Sequence, residues 1–150
     1  MFLDERLEFA DAVSVVAGVG TSLVGDVVPL SVARDVGGDG GTPDQLYVDF
    51  TVNALVVHVG GTVKFELVSA DDSALTVNPK VITATREFAD TELVEGYITR
   101  LPLPPSFDYS LFLGVRKVIA TAAVTAGSIN AFLTRDQGTQ KAYPSPSQYV

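Results

Sequence analysis

The chain predicts an all-β fold, an antiparallel two-sheet sandwich of jelly-roll type with extended N- and C-terminal segments. Three observations carry the prediction. Short segments alternate apolar and polar residues with period two, as half-buried strands do because successive side chains point to opposite faces of a sheet. Turn signals separate these segments at the spacing of sandwiches and barrels: GVG, GGDGG, VGG, ADD, VNPK, LPPSFD and TAG. No segment between them has a strong helical period, and no internal repeat points to a propeller or a closed barrel.

Four strands are clearest. Leu46, Val48, Phe50 and Val52 fall on one face, opposite Tyr47, Asp49 and Thr51. Val63, Phe65 and Leu67 alternate with Lys64 and Glu66. Tyr109, Leu111, Leu113 and Val115 alternate with Ser110, Phe112, Gly114 and Arg116, and Ile129, Ala131 and Leu133 with Asn130, Phe132 and Thr134. Four weaker segments, at 12–17, 26–32, 80–87 and 96–103, bring the count to about eight. Only 4–12 has helical pull, with Leu3, Leu7 and Ala10 at helix spacing. The expected organisation is an N-terminal arm or short helix at 1–12, the jelly roll at 13–137 and an extended tail at 138–150, the last rich in Pro and Ser and without alternation.

Composition narrows function. At 150 residues with 47% apolar residues, one domain with its own core is expected. A net charge of -8, with the ten Lys and Arg scattered, offers no basic face for nucleic acid. The absence of cysteine removes disulfides and thiolate chemistry and fits assembly in a reducing cytoplasm. The apolar run at 9–30 is broken by Asp11, Ser14, glycines and Asp26, which argues against a membrane span. The acidic opening MFLDERLEF is unlike a signal peptide, so secretion by that route is not expected.

No catalytic, cofactor or metal site is expected. GGDGGTP leads into a strand rather than a helix, so it lacks the context of a phosphate loop. Asp35, Asp39 and Asp44 lack the spacing of an EF-hand, and the segment reads as a surface connection, with a cation held by Asp35 or Asp39 and backbone carbonyls as the alternative. His58 reads as a strand histidine beside a hairpin turn, because no Gly-x-Ser-x-Gly accompanies it. The carboxylate pairs Asp71 with Asp72 and Glu92 with Glu95 read as turn acids rather than a glycosidase pair.

The candidate contact residues lie at the two ends: Phe2, Leu3, Leu7 and Phe9, then Tyr143, Pro144, Tyr149 and Val150. Two readings stand side by side. These side chains dock on partner molecules, or they fold back and cover the edges of their own sandwich.

Several segments, in order, resemble the short jelly-roll capsid cement, or decoration, proteins of tailed bacteriophages. They are LEFADAVSV, ARDVG, LYVDFTV, VKFELVSADDSAL, ELVEGYITRLPLPP, YSLFLGV, TAGSINAFLTRDQ and YPS, and together they span nearly the whole chain. The order of the set carries the resemblance, since each piece is an ordinary strand and turn. GGDGGTPD departs from the pattern as an insertion. The resemblance implies a jelly roll without catalysis that binds the major capsid protein on the outer surface of the virion head. It also implies self-association, a homodimer being favoured over a homotrimer, and no nucleic-acid or membrane partner. A carbohydrate-binding jelly roll is the second expectation, with Tyr47, Asp49 and Tyr97 as its platform.

Overall fold

A computed structural model of the chain describes residues 7–30, 46–104 and 108–134. The strands are β1 (Glu8–Ser14), β2 (Gly20–Pro29), β3 (Tyr47–His58), β4 (Thr62–Ala70), β5 (Lys80–Ala84), β6 (Ile98–Pro102), β7 (Phe112–Ala120) and β8 (Val124–Thr134). They form two antiparallel four-stranded sheets, ordered β1-β8-β3-β6 and β2-β7-β4-β5. The first strand pairs with the last, the second with the next to last, the third with the sixth, and the fourth with the fifth. That is one long antiparallel hairpin rolled around a core, which is the jelly roll.

The alternation explains the core. Val48, Phe50 and Val52 on β3 and Val63, Phe65 and Leu67 on β4 turn inward with Leu113 and Val115 on β7 and Ile129, Ala131 and Leu133 on β8. Phe50 and Phe65 stack across the two sheets with ring centres 5.7 Å apart. Burial of such side chains stabilises by roughly 1.5–3 kcal/mol each. A second small cluster lies on the outer side of the β2-β7-β4-β5 sheet. There the β4–β5 connection returns, and Leu75 packs with Val68 and Ala70 against Leu23, Val27 and Phe112.

Several boundaries differ from those expected. Residues 8–12 belong to β1 rather than to a helix, because Phe9 and Ala10 are drawn into the core and β8 supplies the pairing. Tyr109 to Leu111 precede β7: Ser110 donates its amide to Ser69 Oγ at 2.6 Å, and the Tyr109 hydroxyl donates to the Pro104 carbonyl at 2.8 Å. The TAG segment at 125–127 lies inside β8, and the turn falls at 121–123 instead. The strand expected at 80–87 ends at Ala84, since the chain from Thr85 crosses to bridge Phe88 with Val63.

The antiparallel order gives the sandwich two unlike ends. Glu8, Pro29, Tyr47, Ala70, Lys80, Pro102, Phe112 and Thr134 are the strand termini at one end. At the other, the chain turns through 15–19, 59–61, 85–97 and 121–123. These turns pack together: the Ala17 amide donates to the Val124 carbonyl at 3.2 Å, and Val124 returns the bond at 3.0 Å.

Candidate functional site

The turn end carries the clearest candidate surface. Its three short turns, VVAGV, VGG and TAA, contain no charged residue, although the chain carries a net charge of -8. Val16 and Val19 from the first turn, Val59 from the second, and Leu55 and Val57 from the end of β3 are exposed, Val59 to 80%. Contiguous exposed apolar surface on a folded chain marks an interaction site more often than scattered residues do.

Local geometry produces this surface. Along the end of β3, Val56 and His58 point inward, so the alternation sends Leu55, Val57 and Val59 outward. The pairing with β8 slips between Val52 and Ala54, between Ala54 and Val57, and between Val57 and His58. Such irregularities re-aim side chains. The 85–97 connection then runs back along β3, the Val56 amide donating to the Leu93 carbonyl at 3.1 Å, and it leaves Val94 exposed beside the row.

Between β3 and this connection lies a cavity of about 210 Å³ lined by Leu55, Val56, Val57, His58, Val59, Asp90 and Thr91. Asp90 brings the carboxylate to this apolar wall. Its Oδ2 accepts the Gly60 amide at 3.0 Å, while its Oδ1 lies 3.3 Å from His58 Nδ1. The angles at His58 are not those of a hydrogen bond, and both ring nitrogens of this buried side chain lack a hydrogen-bond partner. Thr91 (φ +65°) and Thr121 (φ +71°) hold the connection and the β7–β8 turn in the left-handed region. That is costly for β-branched residues, and backbone of this type concentrates at functional sites.

Other charged groups serve the scaffold. Glu66 accepts Lys64 Nζ at 3.0 Å and Arg116 Nη2 at 3.1 Å. Burial opposes its ionisation, but the two cations together outweigh burial and hold the carboxyl below its ordinary range. Asp49 is fully buried, and its two oxygens accept from Arg100 Nε and, at 2.7 Å, Nη2. Lys117 lies on the core side of β7 between Val115 and Ile119, only 5% exposed, and burial lowers the pKa of its amine.

Of the acids singled out from the sequence, Asp71, Asp72 and Glu92 are held in turns, while Glu95 is exposed. Asp72 accepts the Val77 and Thr76 amides and the Thr76 hydroxyl, and these bonds lower its pKa. Asp71 accepts Asn78 Nδ2 at 2.8 Å. Glu92 accepts Arg86 at 2.9 Å and the Ala89 amide at 2.6 Å, and both bonds lower its pKa. The sugar platform does not assemble. Asp49 is spent on Arg100, Tyr97 packs edge-on against Phe88, and Tyr47 and Tyr97 sit at opposite ends of the β3–β6 ladder.

Of the eight contact candidates, Phe9 is corrected: its ring is in the core at 1% exposure and unavailable to a partner, because β1 is an integral strand. Leu7 keeps 39% exposure. Phe2, Leu3, Tyr143, Pro144, Tyr149 and Val150, and the Asp35–Asp44 segment, lie outside the described residues. Sequence reasoning missed Leu55, Val57, Val59 and Asp90. The available signal was three turns built from Val, Ala, Gly and Thr alone in an acidic chain.

Among the described residues, no group of three or more His, Asp or Glu is placed to hold a metal ion. No curated protein matches the chain. The Bbp16 family model matches residues 9–133, from Phe9 in β1 to Leu133 in β8, and so takes in all eight strands. The chain accordingly belongs to the Bbp16 family, a phage-associated family.

Proposed function

We propose that this protein is a capsid cement protein, binding the outer surface of an icosahedral phage head and stabilising contacts between major capsid protein subunits. Membership of a phage-associated family, matched over the entire jelly roll, is the observation that carries the reading. The described structure suits a structural role, since Asp49, Glu66, Asp71, Asp72 and Glu92 are tied into turns and ion pairs.

Such a protein acts by adding interface. Apolar area buried across a subunit boundary contributes roughly 25 cal/mol per Å² before association costs are subtracted. A shell repeats its binding site, so a self-associated cement protein, as a homodimer, engages several subunits at once and gains from effective concentration. Its acidic character suits the outer surface, away from packaged nucleic acid, and calls for neither a nucleic-acid nor a membrane partner. Assembly in the host cytoplasm follows from this placement.

Heads prepared with and without the protein test the proposal. Heads lacking it are expected to rupture at a lower temperature, and add-back of purified protein is expected to restore the wild-type value. A reconstruction that places the protein in the tail or inside the shell would overturn the reading.

A further inference from the structure

We propose that the exposed end of β3, with Val59 at its tip and the adjoining cavity, is the surface that meets the capsid shell. We further infer that its counterpart there is an apolar side chain flanked by a basic one. This rests on the capsid-surface reading above and goes beyond it by naming the surface and the chemistry of its partner.

Three features of the site converge. Leu55, Val57 and Val59 form an apolar row, with Val94 exposed beside it, that no described part of the chain covers; the three short turns at this end carry no charged residue, and the acids nearby, Asp90, Glu92 and Glu95, come from the 85–97 connection. The 210 Å³ cavity opens within that row, next to Val59, so the partner gains a hole for one aliphatic or aromatic anchor beside a protruding knob. Asp90 lies in the cavity wall with its side chain 39% exposed, the acid nearest the anchor site.

Charge selects the occupant. A second copy docking symmetrically on this patch would bring one Asp90 carboxylate against the other and would add two acidic molecules of net charge -8 at the same junction. Lysine or arginine on the shell complements Asp90 instead and strengthens as the contact dries. The strand termini at Glu8 and Thr134 then face away from the contact, at the far end of the sandwich.

The experiment is add-back to heads that lack the protein, with occupancy read by cosedimentation at low and high salt. Wild type is compared with Val59→Asp, Leu55→Ser, Asp90→Asn and, as a control on the β5 surface, Val81→Asp. Circular dichroism of each variant shows whether it folds, and Leu55→Ser, the milder change, carries the test if Val59→Asp does not. Val59→Asp and Leu55→Ser are expected to weaken binding at least tenfold while Val81→Asp binds like wild type. Asp90→Asn is expected to bind less tightly at low salt and to respond less to salt. If both β3 variants bind like wild type, the shell contact lies elsewhere and this inference fails, while the cement reading stands. If Asp90→Asn alone is unchanged, the basic flank is removed. If the β3 variants instead lose only self-association in sedimentation equilibrium, the surface joins copies and the proposal is overturned. If wild type itself does not bind, the cement reading falls, and the inference with it.

Discussion

Glu66 links the outer sheet to pH. Its ordinary value is 4.5, and in the folded chain Lys64 and Arg116 hold it lower against the opposing effect of burial. A carboxyl with a depressed folded pKa adds stability that is fully present above its unfolded value and is lost as pH falls through the folded one. Denaturant titrations from neutral pH downward are therefore expected to show the wild-type advantage over Glu66→Gln shrinking below about pH 4.5. A gap that stays constant across that window would contradict the assignment. Gly25 makes a steric prediction at the same scale. It sits at the bulge in β2 with φ +64°, and a Cβ there would lie 1.9 Å from the Phe9 carbonyl oxygen. Gly60, at φ +70°, has open space around it. Gly25→Ala is expected to cost about 2–5 kcal/mol, from left-handed strain plus forced separation of β1 and β2, and Gly60→Ala about 1–2 kcal/mol. Urea unfolding of the pair checks the order. Tyr109→Phe is expected to cost about 1–3 kcal/mol in the same assay, because the buried hydroxyl bond to Pro104 is lost.

Among the elements, the β7–β8 turn stands out because Thr121 holds a left-handed conformation that glycine adopts freely. Thr121→Gly is expected to raise stability by up to about 1 kcal/mol, read as a higher melting temperature. The strands themselves were largely legible. Val63, Phe65 and Leu67 and Ile129, Ala131 and Leu133 face the core as their alternation predicts, because a half-buried strand leaves that imprint directly. The helical pull of Leu7 and Ala10 misled because β8 pairs with β1 from Glu8 to Ser14, and tertiary pairing overrides weak local preference. The apolar row on β3 was hidden for a different reason. Val56 is buried and Val57 exposed, yet both are valine, and the register slips after Val52 remove the regular count that would separate them. His58 was placed correctly as a strand residue beside a turn, but its cavity arises from Asp90, thirty-two positions later in the chain, and no local pattern links the two.

The whole molecule combines an acidic overall charge with one end whose three short turns are uncharged and lie beside the acidic 85–97 connection. The rolled-hairpin topology has its own cost: β1 must wait for β8 before the β1-β8-β3-β6 sheet is complete, and long-range pairing of this type slows folding. The same pairing sets Glu8 opposite Phe132, so the ends of the described sandwich are neighbours. A circular permutant, with Thr134 joined to Glu8 by a short linker and new ends opened between Thr121 and Ala123, is thus expected to keep the fold. In that chain β8 precedes β1 directly, and the most distant pairing becomes a local one. Faster refolding of the permutant in stopped-flow measurements would show that the order in which the ribbon is threaded, rather than the sandwich it ends in, limits how quickly the protein forms.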